Sequence, residues 1–245
     1  MKTLWFALLL LSWQANGREL CPEPLTLVFS GDWYPYIYLD EQGDYRGEDL
    51  TLLRDTLAAM NCELFILPLP ERRTRQDLQS GRVDIALSAT RTAEREKLFL
   101  FSRPYRLQSI VMVHRRDDRT TAALDNLTDL VKQNKLVALN RIAWYGLEVD
   151  ALLRSAWSRQ LMHVETFASR LELLRRGRVD AFIDDKGAVQ AEILRSHLQD
   201  LTISPRPVDV SEQHFMFSKA KVNQAFVDEF NRQLAGRLQP NYPDP

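Results

Sequence analysis

Apolar residues recur along the chain with two spacings. Leu25-Thr-Leu-Val-Phe29 is a short, nearly continuous apolar run, the pattern of a buried strand. Leu50, Leu53, Leu57 and Met60 instead share one face of a helix that opens at Gly47-Glu-Asp-Leu50. Strands at 64–67 and 83–87 flank a helix at 73–80. A long stretch at 105–114 leads into a charged, Thr-rich segment at 115–121. Beyond it the alternation resumes, with helices at 126–133, 145–159, 167–176 and 186–198 and strands at 136–139, 162–165 and 179–183. Strands alternating with helices predict an α/β fold of mostly parallel sheets flanked by helices.

One segment occurs twice. Leu78-Gln-Ser-Gly81-Arg-Val-Asp84-Ile-Ala-Leu87 is echoed by Leu174-Arg-Arg-Gly177-Arg-Val-Asp180-Ala-Phe-Ile183. In each copy a helix ends at Gly, which tolerates the left-handed conformation after a helix C-terminus, and a buried strand begins shortly after. Either the match is fortuitous, since such junctions are common, or the chain holds two similarly built lobes. A length of 245 residues accommodates one large domain or two smaller ones.

Composition narrows the partners. With 45% hydrophobic and 27% charged residues, nine Gly and eleven Pro, the chain is neither disordered nor repetitive. Thirty-two Lys and Arg against 33 Asp and Glu leave a net charge of -1, without the basic footprint of a nucleic-acid or membrane-surface binder. Lys2, the apolar run from Leu4 to Leu11 and the small residues of Ala15-Asn16-Gly17 predict a cleaved signal peptide over 1–17, and hence export. In an oxidising compartment Cys21 and Cys62 can pair. Each precedes a predicted strand, and if those strands are parallel neighbours the sulfurs can meet, so a structural disulfide is expected over two buried thiols.

Ligands of open α/β sheets bind beyond the carboxyl ends of the strands, so the residues after each echoed strand carry the candidate chemistry. After the first copy come Ser88, Thr90 and, behind an expected N-cap at Thr92, Arg95. A cation in a first helical turn opposes the helix dipole and is better explained by an anion it meets there, with Thr90 adding to the cradle; the alternative is a surface Arg paired with Glu94 or Glu96. After the second copy come Asp184 and Asp185. Asp185 can hold an ammonium or cap the following helix, and Asp184 competes for either role. Hydroxyls and an arginine on one lip, carboxylates on the other, suit a zwitterion. Trp33 and Tyr36, on the loop after the first strand, either cover a ligand or pack the loop. His114, His163, His197 and His214 lack metal-ligand spacing, and no nucleophile elbow, phosphate-binding Gly loop or zinc-protease motif occurs. No metal, no cofactor and no catalytic residue is expected.

In order, Trp33-Tyr-Pro-Tyr36, Gly43-Asp-Tyr-Arg-Gly47-Glu-Asp-Leu50, Gly81-Arg-Val-Asp84, Ser88-Ala-Thr-Arg-Thr-Ala-Glu-Arg95 and Phe101-Ser-Arg-Pro-Tyr105 resemble the solute-binding protein family 3 of bacterial ABC importers, the polar amino-acid binders. The resemblance implies a two-lobed type II periplasmic-binding fold that closes on its ligand. Lobe 1 would comprise 22–104 and 215–245, with a last helix at 223–237, and lobe 2 would comprise 110–209. The crossings would lie near 105–109 and 210–214. The resemblance also implies carboxylate binding by Arg95 and Thr90, a backbone contact at Ser88, an aromatic cover from Trp33 and an α-amino partner in Asp185. The implied partners are a small polar, amino-acid-like solute and the membrane permease of an ABC transporter, with the receptor a monomer in the periplasm. Two features depart from the family pattern. Asn140-Arg-Ile-Ala-Trp-Tyr145-Gly146 stands where many members place a Gly-Thr/Ser turn that feeds the ligand carboxylate, and Arg73 lies where some carry a pocket-side arginine. Both suggest a more acidic or aromatic ligand than a simple small amino acid. Two alternatives stay open: a cleft enzyme of the cyclohexadienyl dehydratase type, using Asp184 or Asp185, and a sensing protein acting on a membrane sensor. The second is less favoured because no transmembrane helix follows the predicted lobes.

Overall fold

A computed structural model of the chain describes residues 20, 21, 23–29, 33–69, 71–124, 126–140 and 143–238. The expected signal peptide at 1–17 lies outside the described residues.

The chain forms β1 (Leu25–Phe29), the hairpin β2 (Tyr38–Leu39) and β3 (Tyr45–Arg46), α1 (Glu48–Ala58), β4 (Leu64–Pro68), α2 (Glu71–Ser80), β5 (Ile85–Thr90), the single turn α3 (Ala93–Glu96) and β6 (Phe99–Phe101). It continues through β7 (Arg106–Arg115), α4 (Arg119–Ala122), α5 (Leu127–Lys132), β8 (Val137–Leu139), α6 (Gly146–Leu153), a 3-10 turn (Ala156–Gln160), β9 (Leu161–His163) and α7 (Phe167–Arg175). It ends with β10 (Ala181–Asp185), α8 (Lys186–Arg195), β11 (Leu201–Ile203), β12 (Asp209–Ser218) and α9 (Gln224–Ala235). Ten strands make one curled mixed sheet in the order β4-β1-β5-β12-β7-β10-β8-β9, with β6 added on β12 and β11 on β7.

The parallel parts lie at the two ends of this sheet, β4-β1-β5 and β10-β8-β9. The segments expected as crossings, near 105–109 and 210–214, run along two long antiparallel strands at its middle. Asp209 to Gln213 of β12 pair with Ile110 to Arg106 of β7. The rest of β12 then joins β5 and β6, and the rest of β7 joins β10 and β11. The expected helix over 145–159 is divided, because the Ser155 hydroxyl accepts the Trp157 N–H and starts a separate 3-10 turn.

The echoed segments have one local geometry. Gly81 and Gly177 both hold a positive φ, +73° and +65°. Asp84 accepts the N–H of Thr26 on β1 at 2.8 Å, and Asp180 accepts that of Leu136 ahead of β8 at 2.8 Å. In return the backbone N–H of each Asp donates to the carbonyl of that same residue. The motif thus ties the start of each echoed strand to its parallel neighbour, satisfying edge groups that would otherwise be buried without partners.

Buried apolar residues fall into four clusters. Two draw only on residues 21–105 and 215–238, with Leu50, Leu53, Leu57, Phe215, Phe217, Phe226 and Phe230 at their heart. The other two draw only on residues 110–208. Cys21 and Cys62 are disulfide-bonded, Cα to Cα 5.4 Å, where β1 and β4 run parallel from Leu25 opposite Leu64. The expected pairing is therefore present.

Candidate functional site

The site lies where β5, the loop 33–37, the N-terminus of α1, the start of β7 and the β10–α8 junction meet. The carbonyls of Pro35 and Tyr36 accept the first N–H groups of α1, those of Glu48, Asp49 and Leu50. This approach is possible because residue 47 is Gly: its φ is +134°, and a Cβ there would overlap the Tyr36 carbonyl. The loop thereby holds Trp33 and Tyr36 together, with ring centroids 4.6 Å apart.

On β5, pairing with β12 is irregular between His214 and Met216, and Ser88 takes a left-handed φ of +52°. A bulge of this kind re-aims side chains and stores local strain. The Ser88 hydroxyl accepts a hydrogen bond from Arg106, and its N–H donates to the Tyr105 hydroxyl at 3.1 Å. Two residues on, the buried Thr90 accepts Gln213 Nε2 at its hydroxyl and Arg95 Nη1 at its carbonyl, the latter at 2.9 Å.

Thr92 caps α3 as expected, accepting the N–H of Arg95. The helix is only one turn, so opposition to a helix dipole says little about Arg95; its surroundings say more. Glu94 pairs with Arg75 at 2.9 Å and Glu96 pairs with Arg91, so neither neighbouring acid serves Arg95. Among the described residues no carboxylate pairs with this half-buried guanidinium. Burial, reinforced by the Arg75 charge and only partly offset by Glu94, lowers its pKa.

On the opposite lip the two acids have separate tasks. Asp184 is ion-paired with the buried Arg170 and accepts the N–H of Asp185. Asp185 caps α8 by accepting the Ala188 N–H at 2.9 Å, and the same Oδ1 accepts the Tyr36 hydroxyl at 2.7 Å. Its Oδ2 faces Arg106 Nη1 at 3.7 Å. Capping and cleft-facing are therefore compatible roles for Asp185. Gly187 makes room for the contact, since a Cβ there would overlap the Tyr36 hydroxyl. Burial raises the Tyr36 pKa; Arg106 opposes the rise, and Asp185 and Asp49 add to it. The phenol accordingly remains a donor to Asp185 at neutral pH.

Sequence reasoning missed Arg106, Asp49 and Tyr105. The Arg106 guanidinium lies 3.8 Å from the Tyr36 ring centroid, 5.2 Å from that of Trp33 and 5.9 Å from that of Tyr105. Its Nε is 3.2 Å from both oxygens of Asp49, which also accepts the Tyr105 hydroxyl at 2.6 Å. Burial disfavours the Arg106 cation, but Asp49, Tyr105, Tyr36 and Asp185 outweigh it and the pKa is raised. Asp49 is raised by burial, against Arg106 and Tyr105. The available signal was a cation directly after Tyr105 in an expected crossing.

Ser88, Trp33, Tyr36 and Asp185 thus meet around Arg106. Thr90 and Arg95 continue from the same strand, and no described contact joins Arg95 directly to Asp185. Arg73 is exposed on α2. At the departing segment before α6, Tyr145 is buried and its hydroxyl accepts the Asn140 N–H; a Cβ on Gly146 would overlap the Asp209 carboxylate. That helix N-terminus is therefore lined by the protein's own acid. Among the described residues no group of His, Cys, Asp or Glu is arranged to hold a metal ion, and no helix is long and apolar enough to cross a membrane.

Relatives agree with this architecture. The chain is 24% identical over 234 residues to a probable amino-acid-binding protein, YxeM, of Bacillus subtilis (strain 168), covering 93% of this chain and 84% of that one. It is 22% identical over 219 residues to a cyclohexadienyl dehydratase of Pseudomonas aeruginosa, covering 84% and 75%. Holo ArgBP from T. maritima superposes with a TM-score of 0.74 at 24% identity, covering 88% of this chain and 91% of that one, and so shares the fold. Residues 25–236 match the model of the bacterial extracellular solute-binding proteins, family 3, and the chain belongs to that family.

Proposed function

We propose that the protein is an exported, monomeric receptor that binds one amino-acid-like solute between two lobes, 22–104 with 215–245 and 110–209, and presents it to the permease of an ABC importer. The single observation that carries the reading is a half-buried Arg95, without an acid partner among the described residues, between Ala89 and Phe99 of one core, with Asp185 on the strand that gives Phe182 and Ile183 to the others. In this reading Arg95 and Thr90 take the ligand carboxylate, Asp185 Oδ2 takes the ammonium, and Ser88, Trp33 and Tyr36 line the space between. Closure is driven by a ligand that bridges Arg95 and Asp185, and contacts between the lobes such as Tyr36 to Asp185 at 2.7 Å and Arg195 over the Tyr34 ring at 4.8 Å accompany it. Relatives named as a probable amino-acid ABC transporter-binding protein and a probable amino-acid-binding protein support it.

The reading assigns no turnover. Asp184 is held by Arg170 and Oδ1 of Asp185 by Tyr36 and the α8 N-terminus, and the reading gives the remaining Asp185 Oδ2 to the ligand ammonium. Mixing with prephenate or arogenate should leave their ultraviolet spectra unchanged. A thermal-shift panel of L-amino acids and small dicarboxylates tests the receptor reading. A ligand at 100 times its Kd adds about 2.7 kcal/mol, which for a chain of this size raises the melting point by roughly 5–10 °C. A flat panel contradicts the proposal.

A further inference from the structure

Three aromatic rings and two buried carboxylates around one point form a receptor for a guanidinium or an ammonium. The rings attract cations over their faces, and the acids supply charge-assisted acceptors. Here that place is already taken. Arg106 stacks on Tyr36, reaches Trp33 and Tyr105, and pairs with Asp49, while its side chain keeps only 15% exposure. Asp49 and Asp185 are 3% and 2% exposed, so neither has solvent to neutralise it. The guanidinium is anchored from both ends: Nε on Asp49, one terminal nitrogen on Ser88. The other, Nη1, is buried without a hydrogen-bond partner among the described residues and points toward Asp185 Oδ2.

We propose that Arg106 is a resident guanidinium that fills the cation-accepting part of the cleft and selects ligands whose side chain carries a carbonyl or carboxylate oxygen, excluding arginine and lysine. The inference rests on the receptor reading above and refines its ligand class. Asp49, Asp185, Arg95 and Arg106 cancel formally, so a neutral zwitterion adds no net charge to the buried site. A cationic side chain adds one beside Arg106, where like-charge repulsion has little solvent screening. A carbonyl or carboxylate oxygen instead satisfies the unpartnered Nη1.

Two arms of one melting and calorimetry experiment test this. With wild-type protein, L-glutamate or L-glutamine is expected to bind at least about thirtyfold more tightly than L-arginine or L-lysine, the order that like-charge juxtaposition produces. Equal or tighter binding of arginine overturns the proposal. With Arg106→Ala and Arg106→Gln, the probe is methylguanidinium chloride, compared with equal concentrations of tetramethylammonium chloride. A methylguanidinium-specific rise in the melting point of Arg106→Ala, absent from wild type, is expected; a variant that folds only with methylguanidinium gives the same answer. Arg106→Gln, which fills part of the space, should respond less. A folded Arg106→Ala indifferent to methylguanidinium overturns the proposal. If wild type binds no amino acid yet Arg106→Ala is rescued, the receptor reading fails while the resident guanidinium stands.

Discussion

Arg95→Met separates binding from folding. In the empty protein Arg95 donates one described side-chain hydrogen bond, to the Thr90 carbonyl at 2.9 Å, and has no acid partner among the described residues. Losing that bond costs about 1–3 kcal/mol if the carbonyl is left dry. Removing a cation that burial and Arg75 already disfavour returns part of that cost. Met keeps much of the packing volume of the aliphatic stem. The net change in stability should be within about 1 kcal/mol, a shift of roughly 2–4 °C in Tm. The proposed bound state is different, because in it the guanidinium meets the ligand carboxylate out of water. Deleting one partner of such a pair costs about 2–5 kcal/mol, or roughly 30- to 4,000-fold in Kd. Isothermal titration of both proteins with the ligand found in the melting panel, beside melts of the empty forms, reads both quantities. Unchanged affinity, or a fall in Tm large enough to account for the lost binding, refutes the assignment of Arg95.

Three further outcomes follow from the geometry. Gly187→Ala should weaken ligand binding by about tenfold or more while the two sets of cores stay intact, because a methyl group at 187 displaces the Tyr36 hydroxyl from Asp185; titration with binding unimpaired contradicts it. Cys62→Ser opens a covalent loop with a sequence separation of 41. Chain entropy then lowers stability by about 4 kcal/mol, read by urea titration under non-reducing conditions, and a midpoint equal to wild type contradicts that. His214 has a lowered pKa from burial, against the Ser102 carbonyl and Glu212 and with Arg91. The unfolded chain therefore binds a proton first as pH falls below about 6.5, and stability declines from there at up to about 1.4 kcal/mol per pH unit until the folded form also protonates. His214→Gln should flatten the stability profile between pH 7 and 5; an unchanged slope contradicts the shift.

Local signals in the sequence carried much of the fold. The repeated Gly-Arg-Val-Asp works the same way twice because its parts act over a few residues: a left-handed Gly ends a helix, and an Asp binds the backbone of the adjacent strand. The caps at Thr92 and Asp185 and the Cys21–Cys62 pair were legible for the same reason. What escaped depends on partners far away in the chain. β12 begins as Asp-Val-Ser-Glu-Gln and ends as His-Phe-Met-Phe-Ser, so no single period marks it; its two halves join different neighbours. Arg106 and Asp49 look ordinary alone and acquire meaning through a contact spanning 57 residues. Arg73 was named only through the family resemblance, and on α2 it is exposed.

The central claim is that one small zwitterion spans the gap between Arg95 and Asp185. A crystal structure of the wild-type protein grown with the amino acid that most raises its melting point tests this most directly. The account predicts ligand carboxylate oxygens about 2.7–3.0 Å from the Arg95 guanidinium nitrogens, with the ammonium on Asp185. A ligand bound with neither group engaged, or lodged on an outer surface, contradicts it.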